Sequence, residues 1–136
     1  MKIVTSLLFL GCLLTAYHAD AQDICGTKLV WHASQTLEVG TSQSLNENTT
    51  VVSFGRDSIQ WLDQSNVRRY GLKVLQFNGG WPNITTPGRM IYDVSHGTTR
   101  GLVIFDRKDA LTIRLMLKTD QGLIAKELKI TSVTLQ

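Results

Sequence analysis

The chain predicts an all-β domain of about eight antiparallel strands, closed into a small up-and-down barrel. Three observations carry this reading. From residue 28 onward, apolar and polar residues alternate with period two, the spacing of a strand with one dry face. Short clusters of Gly, Asn, Asp, Ser and Thr separate the alternating runs at hairpin distances. No run carries apolar residues at the spacing of an amphipathic helix.

In chain order, residues 1–22 read as an export signal. Lys2 supplies a positive start, residues 3–14 are almost wholly apolar, and Ala19-Asp20-Ala21 is a small-x-small cleavage pattern. The apolar run falls short of the roughly 20 residues that span a bilayer. The expectation is therefore a secreted or periplasmic protein with no transmembrane segment after signal removal. Residues 23–136 then form a single domain, long enough to bury a core. The alternative, acylation at Cys12, meets Phe9 where lipoprotein signals carry an aliphatic residue, and Leu13-Leu14 where a polar linker is expected.

Residues 28–39 are the first predicted strand, with Leu29, Trp31 and Ala33 on one face. Residues 41–50 form the longest polar connector and are expected to be mobile. Residues 50–54 and 58–62 flank Gly55-Arg56-Asp57, a compact hairpin turn. In residues 68–77, Tyr70, Leu72 and Val74 alternate with Arg69, Gly71 and Lys73. Met90, Tyr92 and Val94 alternate with Arg89, Ile91 and Asp93, and residues 96–99 turn the chain. Residues 100–105 carry Val103 and Phe105 on one face, Leu102 and Ile104 on the other, and residues 106–109 are a polar connector. The most regular strand is 111–117, where Leu111, Ile113, Leu115 and Leu117 alternate with Thr112, Arg114 and Met116. A turn at 119–122 leads into the last strand, 123–135, whose phase slips near Ser132-Val133 as a bulge would make it. Eight antiparallel strands must protect their edges, and a closed barrel does so more completely than the alternative, a two-sheet β-sandwich. The cysteine pair around a tryptophan of immunoglobulin-type sandwiches is absent.

The segment Gly26-Thr27-Lys28-Leu29-Val30-Trp31, opening an up-and-down run of strands, resembles the start of small bacterial lipocalin-like secreted β-barrel domains, although Trp31 stands later than those domains usually place it. The resemblance implies a barrel with one closed end and one open end for an apolar ligand. The Ala21-Gln22 ending resembles that of exported proteins of Bacteroidota-type bacteria, in which Asn48-Thr49-Thr50 and Asn83-Ile84-Thr85 would be chance matches to the glycan-acceptor pattern.

The formal charge of +3 is spread along the chain, with no run of the kind that displaces counterions, so no nucleic-acid partner is expected. Cys12 lies in the signal, which leaves Cys25 without an intramolecular disulfide partner; it reads as a small apolar residue near the first strand. His32 and His96 occur without HxH, HExxH or CxxC spacing, so no metal and no cofactor are expected. Asp93-Val94-Ser95-His96 brings triad residue types together, but Ser95 lacks the glycines of a nucleophile elbow and the segment reads as a turn. No catalytic residues are nominated.

The candidate ligand-binding residues are Phe77, Gly79, Gly80 and Trp81. Asn78-Gly79 is a turn signal, and Trp81 then places a large ring in or beside a loop. Exposed, that ring would suit recognition; folded back, it would plug one end of the core. The functional expectation is an exported, non-catalytic binding domain for a small apolar ligand or an extracellular protein or glycan partner. Two alternatives stand beside it: a small secreted hydrolase with acids at a barrel mouth, and a structural interaction module.

Overall fold

A computed structural model describes residues 26–136. The proposed export signal, Cys12 and Cys25 lie outside the described residues. The chain forms β1 (Lys28–Glu38), β2 (Gln43–Leu45), β3 (Thr49–Phe54), β4 (Ser58–Leu62), β5 (Arg68–Asn78), β6 (Gly88–His96), β7 (Thr99–Arg107), β8 (Leu111–Thr119) and β9 (Gly122–Leu135). No helix occurs among the described residues.

All pairings are antiparallel. Strands β3 to β9 follow one another in sheet order, and β1 joins β3 on one edge and β9 on the other. Eight strands therefore close on themselves as an up-and-down barrel, not a sandwich, with β2 as an added ninth. Strand β2 lies within the connector expected to be mobile. Its three residues pair with Thr36, Leu37 and Glu38 at the end of β1, beyond the reach of β3. That stretch of β1 would otherwise be an unpaired edge, and pairing it satisfies backbone groups that polar composition alone does not reveal.

The period-two pattern sorts residues to the two faces as expected. Leu29, Trp31, Val51, Ile59, Leu72, Met90, Tyr92, Val103, Phe105, Ile113, Leu115 and Leu128 are all buried. The barrel interior is filled by side chains, as small eight-stranded barrels are. Trp31 lies at its centre: its Nε1 donates to Ser53 Oγ at 2.9 Å, and its ring packs against Phe105 with centroids 4.9 Å apart. Phe105 in turn meets Tyr92 edge-on at 5.4 Å.

Register shifts occur at four places: two between β1 and β9, one between β4 and β5, and one between β5 and β6. Between β1 and β9, His32 faces Ser132 but Ala33 faces Ile130, so Thr131 is the extra residue, and its Oγ1 donates to the His32 carbonyl at 3.1 Å. This is the slip anticipated a residue or two later. Between β5 and β6, a bulge places Leu75 between Val74, opposite Val94, and Gln76, opposite Asp93. Leu75 is thereby turned outward, 42% exposed, and Phe77 returns to the packed face.

Ile113 has no exposed surface, whereas Thr112 faces outward on the same strand. Ile113→Asp should lower stability by more than about 3 kcal/mol, through the lost apolar burial and the unpaired carboxyl. Thr112→Asp should change it by less than about 0.5 kcal/mol. Urea denaturation of the two variants checks the assignment, which equal losses would refute.

Candidate functional site: the open end of the barrel

The two ends of the barrel differ. One carries residues 55–57, 79–87 and 108–110 and the chain end after β9; the other carries residues 39–42, 46–48, 63–67, 97–98 and 120–121.

The nominated loop closes the first end. Trp81 is 1% exposed, its Nε1 donates to the Thr86 carbonyl at 2.9 Å, and its ring stands 6.3 Å from Trp31. The ring lies over Gly88, where any Cβ would collide with it. Gly79 has φ +107°, a conformation L residues avoid, and a Cβ there would strike the Arg89 carbonyl. Phe77 is half-buried against Tyr92 at 6.0 Å, with the Arg56 guanidinium over its ring at 5.1 Å. Gly80 is exposed. Of the two roles open to Trp81 from the sequence, the structure places its ring in the plug. The four residues therefore present two glycines and a ring edge to solvent, not an aromatic platform.

The second end is a cup of about 450 Å³, lined by residues including Thr36, Trp61, Asp63, Arg69, Tyr70 and Lys126. Trp61, Asp63, Tyr70 and Lys126 arrive there by strand phase, whereas Thr36 and Arg69 arrive through bulges, with Ser34 the extra residue of β1 and Arg69 that of β5. Trp61 follows Ile59 on the inner face of β4, and Asp63 follows Trp61 just past the strand. Lys126 stands in phase between Ile124 and Leu128, which pack in the core. Trp61, 4% exposed, meets the half-buried Tyr70 edge-on at 6.4 Å and walls one side. Below the rim the hydroxyls of Thr36 and Thr49, both buried, lie 3.3 Å apart in a hydrogen bond.

Most charges of the cup are paired; Glu47, exposed at its rim, forms no ion pair among the described residues. Lys126 lies directly across from Glu38 in the β1–β9 ladder, with Nζ 3.2 Å from the Glu38 carboxylate. Arg69 Nε lies 2.9 Å from Asp63 Oδ2. Asp63 also organises its own turn: Oδ1 accepts from Ser65 N at 2.9 Å and Val67 N at 3.0 Å, while Asn66 takes φ +58°. These contacts hold the Asp63 carboxyl below the usual aspartate range. The Val67 N–H contributes most, and the Ser65 N–H and the Arg69 guanidinium add to it against a partial desolvation. Beside the cup, His96 Nδ1 donates to the Gly71 carbonyl at 3.1 Å, and its ring meets Tyr70 edge-on at 6.0 Å. Since a carbonyl only accepts, Nδ1 carries the proton.

Among the described residues, no group of three or more His, Cys, Asp or Glu side chains is placed to hold a metal ion. Also among these residues, no helix is long and apolar enough to cross a membrane. No family model, curated protein or solved structure matches this chain.

The sequence reading missed the cup because its residues come from five separate stretches of chain. One signal was available: Lys126 occupies an inward phase position in a strand whose neighbours on that face are Ile124 and Leu128. A cation in such a place marks either a bulge or a solvated mouth.

Two outcomes follow. Trp81→Ala should cost about 3–5 kcal/mol through the cavity it leaves, and Gly88→Ala should also destabilise by displacing the ring; thermal unfolding reads both. Asp63, with its lowered pKa, contributes stability that is present above the ordinary aspartate pKa and lost as pH falls through the lower folded value. In an NMR titration, the Ser65 and Val67 amide shifts should share one midpoint, below the ordinary aspartate range. Asp63→Asn should abolish that transition.

Proposed function

We propose that this chain is an exported, non-catalytic binding domain whose open barrel end takes a neutral, hydroxyl-rich ligand, such as a sugar unit of an extracellular glycan. The observation that carries the reading is the Trp61–Tyr70 wall facing two internally neutralised ion pairs across one cup. Aromatic side chains offer apolar contact to the C–H faces of a sugar. Carboxylates, a guanidinium and an ammonium offer strong, directional hydrogen bonds to its hydroxyls. Because Asp63 and Glu38 already have cationic partners, an ionic ligand would have to compete with them, whereas a neutral one need not; Glu47 at the rim, which forms no ion pair among the described residues, adds an acceptor for a hydroxyl.

Of the ligand classes expected from the sequence, the glycan has more support than the small apolar molecule. The interior that would hold an apolar ligand is occupied by Trp31, Tyr92, Phe105 and Trp81. The lipocalin-like relationship remains part of the proposal, supported by an up-and-down barrel with one plugged and one open end. The hydrolase reading has less support: a carboxylate pair needs one protonated acid beside an ionised partner, and Asp63, held below its ordinary range, fits only the ionised role.

Titration with a panel of soluble neutral oligosaccharides, followed by tryptophan fluorescence, tests the proposal. Tyr70→Ala should weaken binding at least tenfold, about 1.4 kcal/mol, with only a small change in melting temperature because Tyr70 is half-buried. An unchanged affinity in that variant, or tight binding of a fatty acid in place of any sugar, would overturn it.

A further inference from the structure

The outward face of β5–β8 divides into two halves of different charge. Toward the plugged end, Arg89 and Arg114 are paired with Asp106 and Glu127. Toward the open end, the register aligns Lys73 with Ser95, Ser95 with Arg100, and Arg100 with Lys118, so one transverse row crosses four adjacent strands. Lys73, Arg100 and Lys118 are all exposed, and none forms an ion pair among the described residues. Arg68 extends the row: its guanidinium lies over Gly71, the next outward position on β5, with Nε 3.5 Å from where a Cβ would sit. Asp57 and Asp93, which share grooves with these cations, form no salt bridge to any of the four. At about 4.8 Å per strand, Lys73 and Lys118 stand about 14 Å apart.

We propose that this row is a docking surface for an acidic polysaccharide, a chain of carboxylated or sulfated sugars lying across the strands. It is separate from the cup and does not depend on the cup's ligand. The argument is charge complementarity: the face neutralises two of its arginines and leaves a line of cations without partners. Ser58, Gln60 and Ser95, interspersed among them, supply neutral hydrogen bonds of the kind sugar hydroxyls accept and donate. Single-stranded nucleic acid would need aromatic rings on which bases stack. The groove beside Arg68 and Lys73 has one ring, His96, which is tied to the Gly71 carbonyl, and the groove beside Arg100 has none.

The test measures binding of the purified full chain to dextran sulfate and to polygalacturonate over a series of salt concentrations. A Lys73→Gln, Arg100→Gln, Lys118→Gln variant should bind at least tenfold more weakly and flatten the slope of log affinity against log salt by about two to three. Arg89→Gln with Arg114→Gln, on the paired half, should change neither by more than about twofold. If the triple variant does not fold, the three single variants should each lose about twofold or more. Equal losses from the two halves would mean net charge alone acts, and would overturn the proposal. Tighter binding to single-stranded DNA or to anionic phospholipid vesicles than to either polysaccharide at matched charge would overturn it as well.

Discussion

The structure depends on the pairing of β1 with β9. Without it the molecule would be an open sheet with two long free edges, each a template for association. With it, the first and last strands satisfy each other's backbone groups from Leu29–Leu135 to Glu38–Lys126. The closure is irregular, and the irregularity is part of how it works. Ser34, the extra residue of β1 between Ala33 and Gln35, lets β1 bend, so that its first half serves β3 and its last residues serve β2, while Thr131 is the extra residue of β9. Trp31 sits on β1 inside this closure, tied to β3 through Ser53 and packed on β7 through Phe105. One strand thus connects the backbone ring to the centre of the core.

Closure also dictates that the two ends behave differently. A barrel of eight strands has an interior that side chains can fill, so function must lie at an end or on the outside. At one end Trp81 turns inward over Gly88 and continues the aromatic stack begun by Trp31, Phe105 and Tyr92. At the other, the inward positions change from leucine and valine to Thr36, Asp63 and Lys126, whose polar groups are met by Thr49, by Arg69 and two backbone amides, and by Glu38. The inward positions reach the rim while their chemistry changes, and that change gives the open end its polar lining.

Charge on the outer face follows the same ladder. Cross-strand register brings Arg89 to Asp106 and Arg114 to Glu127, and by the same rule lines up Lys73, Arg100 and Lys118 with no acid between them. Exposed pairs of this kind add little stability. Their arrangement matters more for what the surface attracts than for how firmly the barrel holds.

The strand order, the dry faces and the all-β class were legible in the sequence because strand periodicity is a local property. Leu111, Ile113, Leu115 and Leu117 declare their face by spacing alone, and the structure buries all four. Turn chemistry at Gly55 and Asn78-Gly79 placed the hairpins for the same reason. Strand β2 was not legible: Gln43, Ser44 and Leu45 are strand only because the end of β1 lacks a partner on that edge. Trp81 allowed two readings, and only the position of Gly88 beneath the ring and of Trp31 beyond it decides for the plug. The cup and the cationic row are tertiary in the same sense. Tyr70 and Trp61, Glu38 and Lys126, and Lys73, Arg100 and Lys118 are brought together by register and closure, which join residues far apart in the chain through backbone hydrogen bonds that no local pattern encodes.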